Sequence, residues 1–373
     1  MRLVQIAPEI RAGSGVEGVA HHLEQEFRAA GADVERFTLR EAGGGWLPLP
    51  PGGLARHALT ALRVVWFSTV GTVRARTFLA RRPDAVAICH NDVLAGDVYV
   101  NHGILRVAMR ARGHHLWRMV RNPLHLFTTA RDRVRYASHT HRVVVNLTAT
   151  EERLLRATYP GLRPRTVVIP NGVDVVRFHP PTAPERAAAR SACGAAEGET
   201  VAVFVGHEFA RKGLPLALEA LRLAPTARLL VVGGTPAMVA DAQRRAGALG
   251  VADRTRFVGR QDDPVPFLHA GDVFVLPSAY EANALVVLEA LACGLPVIST
   301  RVGFAPDILV DGQNGYLVDA DAAAVARRLA DVAADGGALR RNARETAERH
   351  SWTEVARHYL DLAAQVAAER GIR

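Results

Sequence analysis

Short apolar runs alternate with amphipathic segments along the chain, and this alternation predicts parallel β-sheets covered by helices on both faces. A helical pattern from Val19 to Ala30 separates the first two apolar runs, so the chain is predicted to begin with a βαβ unit. The strands predicted in the first half are Leu3–Ala7, Val34–Thr38, Ala85–Cys89, Val98–Val100, Val143–Val145 and Val167–Ile169.

The alternation starts again after residues 180–199, which are rich in Pro, Ala, Glu and Gly and have no strong apolar period. The strands predicted in the second half are Val201–Val205, Arg228–Val232, Arg256–Val258, Val273–Leu276, Val297–Ser299 and Gly315–Val318. From Ala322 the pattern is helical, and Ser351 is a good N-cap for a last helix. We therefore predict two doubly wound α/β domains, residues 1–180 and 181–350, with a cleft between them, and a terminal helix, residues 351–373, that returns to the first domain.

Composition narrows the class of protein. The chain has 373 residues, of which 49% are hydrophobic and 22% charged, and these values exclude disordered, collagen-like and fibrous coiled-coil proteins. No apolar run approaches the roughly 20 residues that a membrane span requires. The N-terminus leads directly into a strand with no signal-peptide pattern, and three widely spaced cysteines suit a reducing compartment. We expect a cytoplasmic protein without disulfides and without a cysteine metal site.

Positive charge is concentrated in one segment. The net charge is +9, and residues 104–142 carry nine arginines against the single acid Asp132. If this segment is helical, its arginines lie beside large apolar side chains, as in helices that lie on membranes. That interpretation predicts an anionic membrane surface as a partner of Arg106–Arg142, at the inner face of the membrane; the alternative is a solvated helix face. Aromatic content of 6% and the lack of a recognition motif argue against nucleic acid as a partner.

Two glycine-containing loops follow predicted strands. Gly13, Ser14 and Gly15 lie between the first strand and the first helix, where backbone amides can meet an anion, although an ordinary flexible loop is equally compatible with this pattern. Gly206 follows the first strand of the second domain, and Arg211 and Lys212 come shortly after it. Lys212 is the only lysine among 46 basic residues. A forked guanidinium beside a mobile point charge predicts a diphosphate site; two solvated charges are the alternative.

Two glutamates eight residues apart mark a third constellation. Glu281 follows a predicted strand, and Glu289 lies within an otherwise apolar helical run. The helix N-terminus between them suits an extended ligand, with a sugar at Glu281, a diphosphate over the amides and a ribose at Glu289. The small Ala282 and Ala284 allow close approach to the backbone. The alternative is that Glu281 caps the helix and Glu289 forms a structural ion pair.

His102 is selected among 15 histidines by its place after the strand Val98–Val100, because ligands bind at the carboxyl ends of parallel strands. His90 with Asp92, and the pair His114 and His115, are rivals for which a solvated or core role is the better interpretation.

Together these residues resemble a glycosyltransferase of family 4. The similarity rests on the E-x7-E pair Glu281 and Glu289, on Arg211-Lys212-Gly213, on Ile169 to Asp174 followed by Arg177-Phe178, on Gly294 to Val297 and on Asp311 to Gly315. The resemblance implies the GT-B fold, in which two Rossmann-like α/β domains face a cleft. It also implies retaining transfer of a sugar from a UDP- or GDP-type donor to a hydroxyl of a lipid-linked, saccharide or natural-product acceptor, with no cofactor and no essential metal.

The same resemblance implies roles for the candidate residues. Arg211 and Lys212 would hold the diphosphate, Glu281 the donor sugar, Glu289 the ribose and His102 the sugar near its reacting carbon. The complete donor-binding set is Gly13, Ser14, Gly15, Gly206, Glu281, Ala282, Asn283, Ala284, Leu285 and Glu289. Two alternative functions use the same architecture, namely a non-hydrolysing sugar-nucleotide epimerase and a non-catalytic nucleotide-sugar-binding protein.

Overall fold

The computed structural model describes every residue except 14, 49–54, 112–116, 118–120, 197, 282, 335 and 373. The chain divides into two compact units, here called unit 1 (Met1–Asn171 with Trp352–Arg373) and unit 2 (Gly172–Ser351). The sequence pattern put the boundary at residue 180 instead of 171. Residues after Gly172 belong to unit 2 because Val173 and Phe178 are buried in its core.

The core of unit 1 is a parallel sheet of six strands in the order β2-β1-β3-β4-β5-β6. The strands are β1 Arg2–Ile6, β2 Asp33–Phe37, β3 Ala85–Cys89, β4 Val98–Asn101, β5 Val143–Asn146 and β6 Arg165–Val168. The helices are α1 Val16–Ala29, α2 Ala55–Ser68, α3 Val70–Ala80, α4 Leu105–Ala111, α5 Pro123–Ala137, α6 Ala149–Thr158 and the terminal α15 Trp352–Glu369. The strand order reverses direction between β1 and β3, which makes that pair the topological switch point of unit 1.

Unit 2 has a second six-stranded parallel sheet, in the order β12-β11-β10-β7-β8-β9, whose switch point lies between β7 and β10. The strands are β7 Thr200–Val205, β8 Ala227–Val232, β9 Thr255–Gly259, β10 Val273–Leu276, β11 Val297–Thr300 and β12 Gly315–Val318. The helices are α7 Ala183–Cys193, α8 Leu214–Leu223, α9 Pro236–Ala248, α10 Val265–His269, α11 Leu285–Ala292, α12 Ala305–Ile308, α13 Ala322–Ala334 and α14 Gly336–Glu348, with a 3-10 turn at Ala252–Arg254.

All twelve predicted strands occur, and their ends agree with the prediction to within two residues. The agreement follows from burial, since β3, β4, β5, β10 and β11 are buried at every position and each therefore begins with a short run of apolar residues. The terminal helix α15 packs in the core of unit 1, where Tyr359 meets Phe27 edge to face at 6.4 Å.

One helix was not predicted from the sequence pattern. Residues 180–199 were predicted as an irregular joining region, but α7 lies within them. Its first turn is held by a capping box in which Thr182 and Glu185 satisfy each other's backbone amides, and the Thr-x-x-Glu spacing was the available signal. The apolar period is weak because the side of α7 that faces the rest of unit 2 carries Arg186 and Arg190, both bonded to Asp272.

The basic segment is less exposed than the sequence suggested. Arg131 and Arg135 are buried, although they were counted toward a charged surface. Arg131 Nη1 lies 2.5 Å from Asp92 Oδ1, and Arg135 bonds Asp132 and lies 3.8 Å from the Tyr99 ring. Both arginines fall on the inward face of α5, four residues apart. The arginines Arg110, Arg121, Arg133 and Arg142 are exposed, Arg106 is half-buried, and Arg112 and Arg118, like His114 and His115, lie outside the described residues.

Arg135→Met is expected to destabilise the protein by about 3–5 kcal/mol, because it leaves a buried carboxylate with one partner fewer. The Arg135 guanidinium also donates to the carbonyl of Val93 at 3.2 Å, which would lose that bond. Urea denaturation measures the loss. The matched control is Arg133→Met, an exposed position on the same helix, which should change stability by less than about 0.5 kcal/mol. Equal effects of the two variants would contradict the buried cluster.

Candidate functional site

The candidate residues of unit 2 lie at its switch point. Residues 206–213 follow β7 and residues 277–284 follow β10, and these two strands are neighbours, with Val273 paired to Ala202. Ligands of open α/β sheets bind outside the carboxyl ends of the strands at this kind of position. The two loops are joined by their backbones, since the amide of Ala279 donates to the carbonyl of Arg211 at 2.9 Å.

A single carboxylate oxygen organises the positive charge. Glu281 Oε1 lies 3.0 Å from Lys212 Nζ and 3.1 Å from Arg211 Nη1, and it also accepts from the Ser278 hydroxyl at 3.0 Å. The Glu281 side chain is only 7% exposed. The sequence predicted Arg211 and Lys212 as one site and Glu281 as another; the structure makes them one cluster. Ser278 was missed, although its place directly after β10 could have indicated it.

The two cations keep unused donors. Arg211 Nε binds Glu208 at 2.6 Å, and Nη1 also donates to the carbonyl of Tyr280. Among the described residues, Arg211 Nη2 has no partner, and Lys212 Nζ has Glu281 alone. A guanidinium edge and a partly used ammonium group therefore remain able to bind an anion.

Two glycines make room for this cluster. A Cβ at Gly206 would lie 2.1 Å from Lys212 Cδ, so the lysine stem runs directly over this glycine. A Cβ at Gly213 would lie 1.9 Å from the carbonyl oxygen of Pro277, and Gly213 has a φ of 81°, which favours glycine. Gly206 therefore makes room for the Lys212 side chain within the loop after β7, and Gly213 allows that loop to pack against the loop after β10.

The helix after the second loop begins at Leu285, with Ala284 at its N-cap and no side-chain capping bond. Glu281 lies outside the helix and does not cap it. The first amides of a helix have no partners within the helix, so this end can bind an anion. The amide nitrogen and oxygen of Asn283 are both buried without a hydrogen-bond partner among the described residues. Ala284 is buried, Leu285 is half-buried, and Ala282 lies outside the described part of the chain.

Glu289 lies on the second turn of α11, half-buried, and its carboxylate forms no ion pair with a described residue. The structural ion pair considered from the sequence is therefore not formed in the described part of unit 2. Burial raises the pKa of Glu289 to about 7, against the smaller lowering effects of Arg177 and Lys212. An ionisable group of this kind, without an ion-pair partner among the described residues, is suited to accept hydrogen bonds from ligand hydroxyls.

The remaining candidates belong to unit 1. Gly15 is the N-cap of α1 with a φ of 89°, and a Cβ at Gly18 would lie 1.9 Å from the Gly13 oxygen, so this loop folds tightly onto the helix start. Ser14 lies outside the described residues. His102 follows β4, and its Nε2 is buried without a hydrogen-bond partner among the described residues. Burial lowers the pKa of its ring to about 4.

The described residues contain no helix long and apolar enough to cross a membrane. They also contain no group of three or more His, Cys, Asp or Glu side chains that could hold a metal ion.

Comparison with known proteins identifies the family of unit 2. Residues 185–350 match the family described as "Glycosyl transferases group 1". The D-inositol 3-phosphate glycosyltransferase of Mycolicibacterium gilvum is 33% identical over 254 residues, which cover 62% of this chain and 56% of that protein. The chain spans about half the length of the curated relatives it matches. Residues 185–350 thus form a glycosyl transferases group 1 domain, and the predicted resemblance to family 4 glycosyltransferases is confirmed.

Solved structures extend the similarity to both units. WaaG, a glycosyltransferase involved in lipopolysaccharide biosynthesis, superposes with a TM-score of 0.72 at 20% identity, covering 97% of this chain and 99% of WaaG. Anabaena HepE in complex with UDP-glucose gives a TM-score of 0.64 at 19% identity, covering 98% of this chain and all of the other. At these identities the likeness shows the fold alone, and it confirms the predicted two-domain α/β fold of the GT-B type.

Glu289 is expected to make stability fall as pH rises. The pKa of a glutamate is about 4.3 in an unfolded chain, so the folded protein binds this proton more tightly. The resulting stabilisation is fully present below pH 4 and is lost as pH rises through the folded pKa of about 7. Between pH 5 and pH 8 the wild type should lose about 1–3 kcal/mol relative to Glu289→Gln, measured by urea denaturation. Parallel pH profiles of the two proteins would refute a raised pKa.

Proposed function

We propose that the chain is a glycosyltransferase that moves a sugar from a nucleotide diphosphate donor to a hydroxyl acceptor. The observation that carries the proposal is the cluster of Arg211, Lys212 and Glu281 at the switch point of a domain that matches glycosyl transferases group 1. The donor diphosphate would lie against Arg211 Nη2, the free Lys212 protons and the uncapped start of α11. The ribose would lie against Glu289.

The difficult step is departure of the diphosphate while positive charge grows on the sugar. The bond from the anomeric carbon to the phosphate oxygen breaks, and a bond from that carbon to the acceptor oxygen forms. The acceptor's proton passes to the departing phosphate oxygen on the same face of the sugar, which gives retention of configuration. Arg211 and Lys212 lower the barrier because they bind the diphosphate more strongly as its charge increases.

These two cations supply positive charge at the leaving group, and we propose on this basis that no metal is required. Glu281 holds both cations in place from a buried position and presents its carboxylate beside the donor sugar. Neutral His102 would contact the donor sugar, and the loop of Gly13 and Gly15 would contact the phosphate and acceptor side. Each of these roles is part of the proposal.

The relatives support narrower assignments. The structure of HepE with UDP-glucose favours a UDP-type donor over a GDP-type one. The relatives named D-inositol 3-phosphate glycosyltransferase favour a phosphorylated polyol among the hydroxyl acceptors. UDP-glucose and D-inositol 3-phosphate are therefore the first probes of activity.

Lys212→Ala is expected to lower kcat by about 100- to 1000-fold, because a preorganised charge at the leaving group is lost. UDP release from UDP-glucose is measured with and without D-inositol 3-phosphate, and with and without EDTA, and the glycoside product is analysed by mass spectrometry. Arg222→Ala, an exposed cation at the end of α8, is the matched control and should retain full activity.

His102→Ala should lose turnover but still bind UDP.

A wild-type rate in Lys212→Ala would remove the leaving-group role. An altered sugar nucleotide formed without acceptor would identify an epimerase, and UDP-glucose binding with no turnover would identify a binding protein.

We further propose peripheral association with an anionic membrane through the exposed part of the segment Arg106–Arg142, consistent with a lipid-linked acceptor. Arg121 lies over the Trp117 ring at 4.9 Å, and Trp117 is 61% exposed. On α5, Leu126 and Val134 are also exposed, close in sequence to the exposed Arg133. Cations beside exposed apolar side chains are the arrangement that binds the interface of anionic bilayers.

Sedimentation with vesicles tests this surface. The protein should pellet with vesicles containing phosphatidylglycerol and should be released by salt, because the attraction is electrostatic. The double variant Arg121→Glu and Arg133→Glu should lose most of this binding. A charge-matched control, Arg222→Glu with Arg244→Glu on unit 2, should retain it. Binding that neither salt nor the double variant weakens would refute the proposed surface.

A further inference from the structure

A second histidine of unit 1 occupies the switch point of its sheet. Gln5 lies on β1 and His90 follows β3, and these are the neighbouring strands at which the strand order reverses. Both side chains are buried, with 0% and 1% exposure. The backbone amide of His90 donates to the carbonyl of Ile6 at 2.9 Å, which fixes the residue against the end of β1. The sequence favoured a solvated or core-satisfied role for His90 with Asp92; the structure buries His90 in the core and pairs Asp92 with Arg131 instead of with the histidine.

The hydrogen bonds of Gln5 fix the tautomer of His90. Gln5 Nε2 donates to the carbonyl of Ala20 at 3.0 Å, so the amide oxygen is the end that faces His90. That oxygen lies 2.7 Å from His90 Nε2. An amide oxygen can only accept, and therefore His90 Nε2 carries the proton. Burial lowers the pKa of His90 well below its usual value, so the ring is neutral and Nδ1 keeps a free lone pair.

This lone pair has no partner among the residues that the structure describes. His90 Nδ1 is buried and forms no hydrogen bond with any described residue. A buried polar atom without a partner destabilises the folded state, and such atoms in native proteins are commonly satisfied by a ligand or water. The neighbouring ring of His102, 5.8 Å away between centroids, also has a buried nitrogen, Nε2, without a described partner.

The loop that carries His90 is held firmly, so the unpartnered nitrogen does not result from a loose side chain. Arg135 donates to the carbonyl of Val93 at 3.2 Å, and Arg131 Nη1 binds Asp92 at 2.5 Å. The thiol of Cys89 donates to the carbonyl of Asn91 at 2.9 Å. The two buried arginines thus fix the residues that follow His90, and the Cys89 thiol ties the preceding residue to the same loop.

We propose that His90 Nδ1 accepts a hydrogen bond from a substrate hydroxyl at the switch point of unit 1, and that Gln5 is the positioning residue that holds His90 in the accepting tautomer. The proposal rests on the proposed function and adds to it a polyol subsite in unit 1. The ligand class follows from the atom, because a neutral lone pair repels anionic oxygen and needs an O–H or N–H donor. The hydroxyl comes either from the donor sugar or from the acceptor.

Nitrogen-15 NMR of the full chain labelled at histidine tests the proposal directly. The Nε2–H tautomer of His90 should be observed, and the Nδ1 resonance should move when a polyol binds. Separate titrations use UDP, UDP-glucose and D-inositol 3-phosphate. A shift with UDP-glucose but not with UDP identifies the donor sugar, and a shift with D-inositol 3-phosphate identifies the acceptor. Binding of both UDP-glucose and D-inositol 3-phosphate with no change at the Nδ1 resonance would overturn the proposal. A protonated Nδ1 in the ligand-free protein would overturn it as well.

Two amide variants, each retaining a polar group near one ring nitrogen of His90, separate a substrate-binding role from a structural role. His90→Gln keeps an amide near Nε2 to donate to Gln5 but removes the acceptor at Nδ1. His90→Asn keeps an acceptor near Nδ1 but loses the bond to Gln5. If Nδ1 binds substrate, His90→Gln should raise KM for the polyol by about tenfold, the value of one hydrogen bond, with a smaller change in kcat. His90→Asn should recover part of that loss. If His90 is only structural, His90→Gln should equal the wild type and His90→Asn should be the poorer variant.

Failure of this subsite and failure of the proposed function give different results. Turnover of UDP-glucose by the wild type, together with wild-type KM in His90→Gln, would overturn the subsite and leave the glycosyltransferase intact. Absence of both UDP-glucose binding and turnover in the wild type would overturn the proposed function, and the polyol subsite with it.

Discussion

The bond from Glu281 Oε1 to Lys212 and Arg211 joins the loops after β7 and β10, on which the site of unit 2 depends. Two adjacent cations at the end of a sheet repel each other, and a buried carboxylate between the loops offsets that repulsion. The same contact limits where each side chain can point. Because the Glu281 side chain is almost fully buried, the attraction is weakly screened, and the cations are fixed before any ligand arrives. Catalysis by charge requires this kind of preorganisation.

Both units place polar side chains at the switch points of their sheets, but the chemistry differs. At the switch point of unit 2 the side chains are charged, with donors left over for an anion. At that of unit 1 the buried groups are Gln5 and His90, held neutral and hydrogen-bonded to each other. These opposite environments are the ones that the proposed diphosphate and the proposed hydroxyl ligand would need. The topology explains where each site lies, and the side chains explain what each can bind.

The sequence predicted the strands well because burial on both faces turns each central strand into a short apolar run. It also singled out Lys212, by its uniqueness, and Glu289, by its isolation in an apolar helix; the structure places Lys212 on Glu281, and the binding roles of both residues stay predictions. Contacts between distant residues were not predictable. Nothing local shows that Arg131 meets Asp92, 39 residues away, so a buried arginine was counted as surface charge. In the same way, the proton on His90 Nε2, and with it the lone pair on Nδ1, follows from the contact with Gln5, 85 residues away.

The only lysine of the chain lies where an arginine would fit poorly. Its stem runs over Gly206 so closely that even a methyl group there would meet Cδ. Past Gly206, the ammonium group must bind the buried Glu281 and still have protons free to donate to a ligand. A guanidinium is planar and wider, and its donors point in fixed directions within one plane, whereas an ammonium group rotates its three protons freely. The Arg211 side chain, which binds the same carboxylate, is more exposed, and its guanidinium also donates to the Glu208 carboxylate and to the backbone carbonyl of Tyr280. The pair therefore combines a directional donor with a compact charge, and the glycine at 206 is what makes the lysine position accessible.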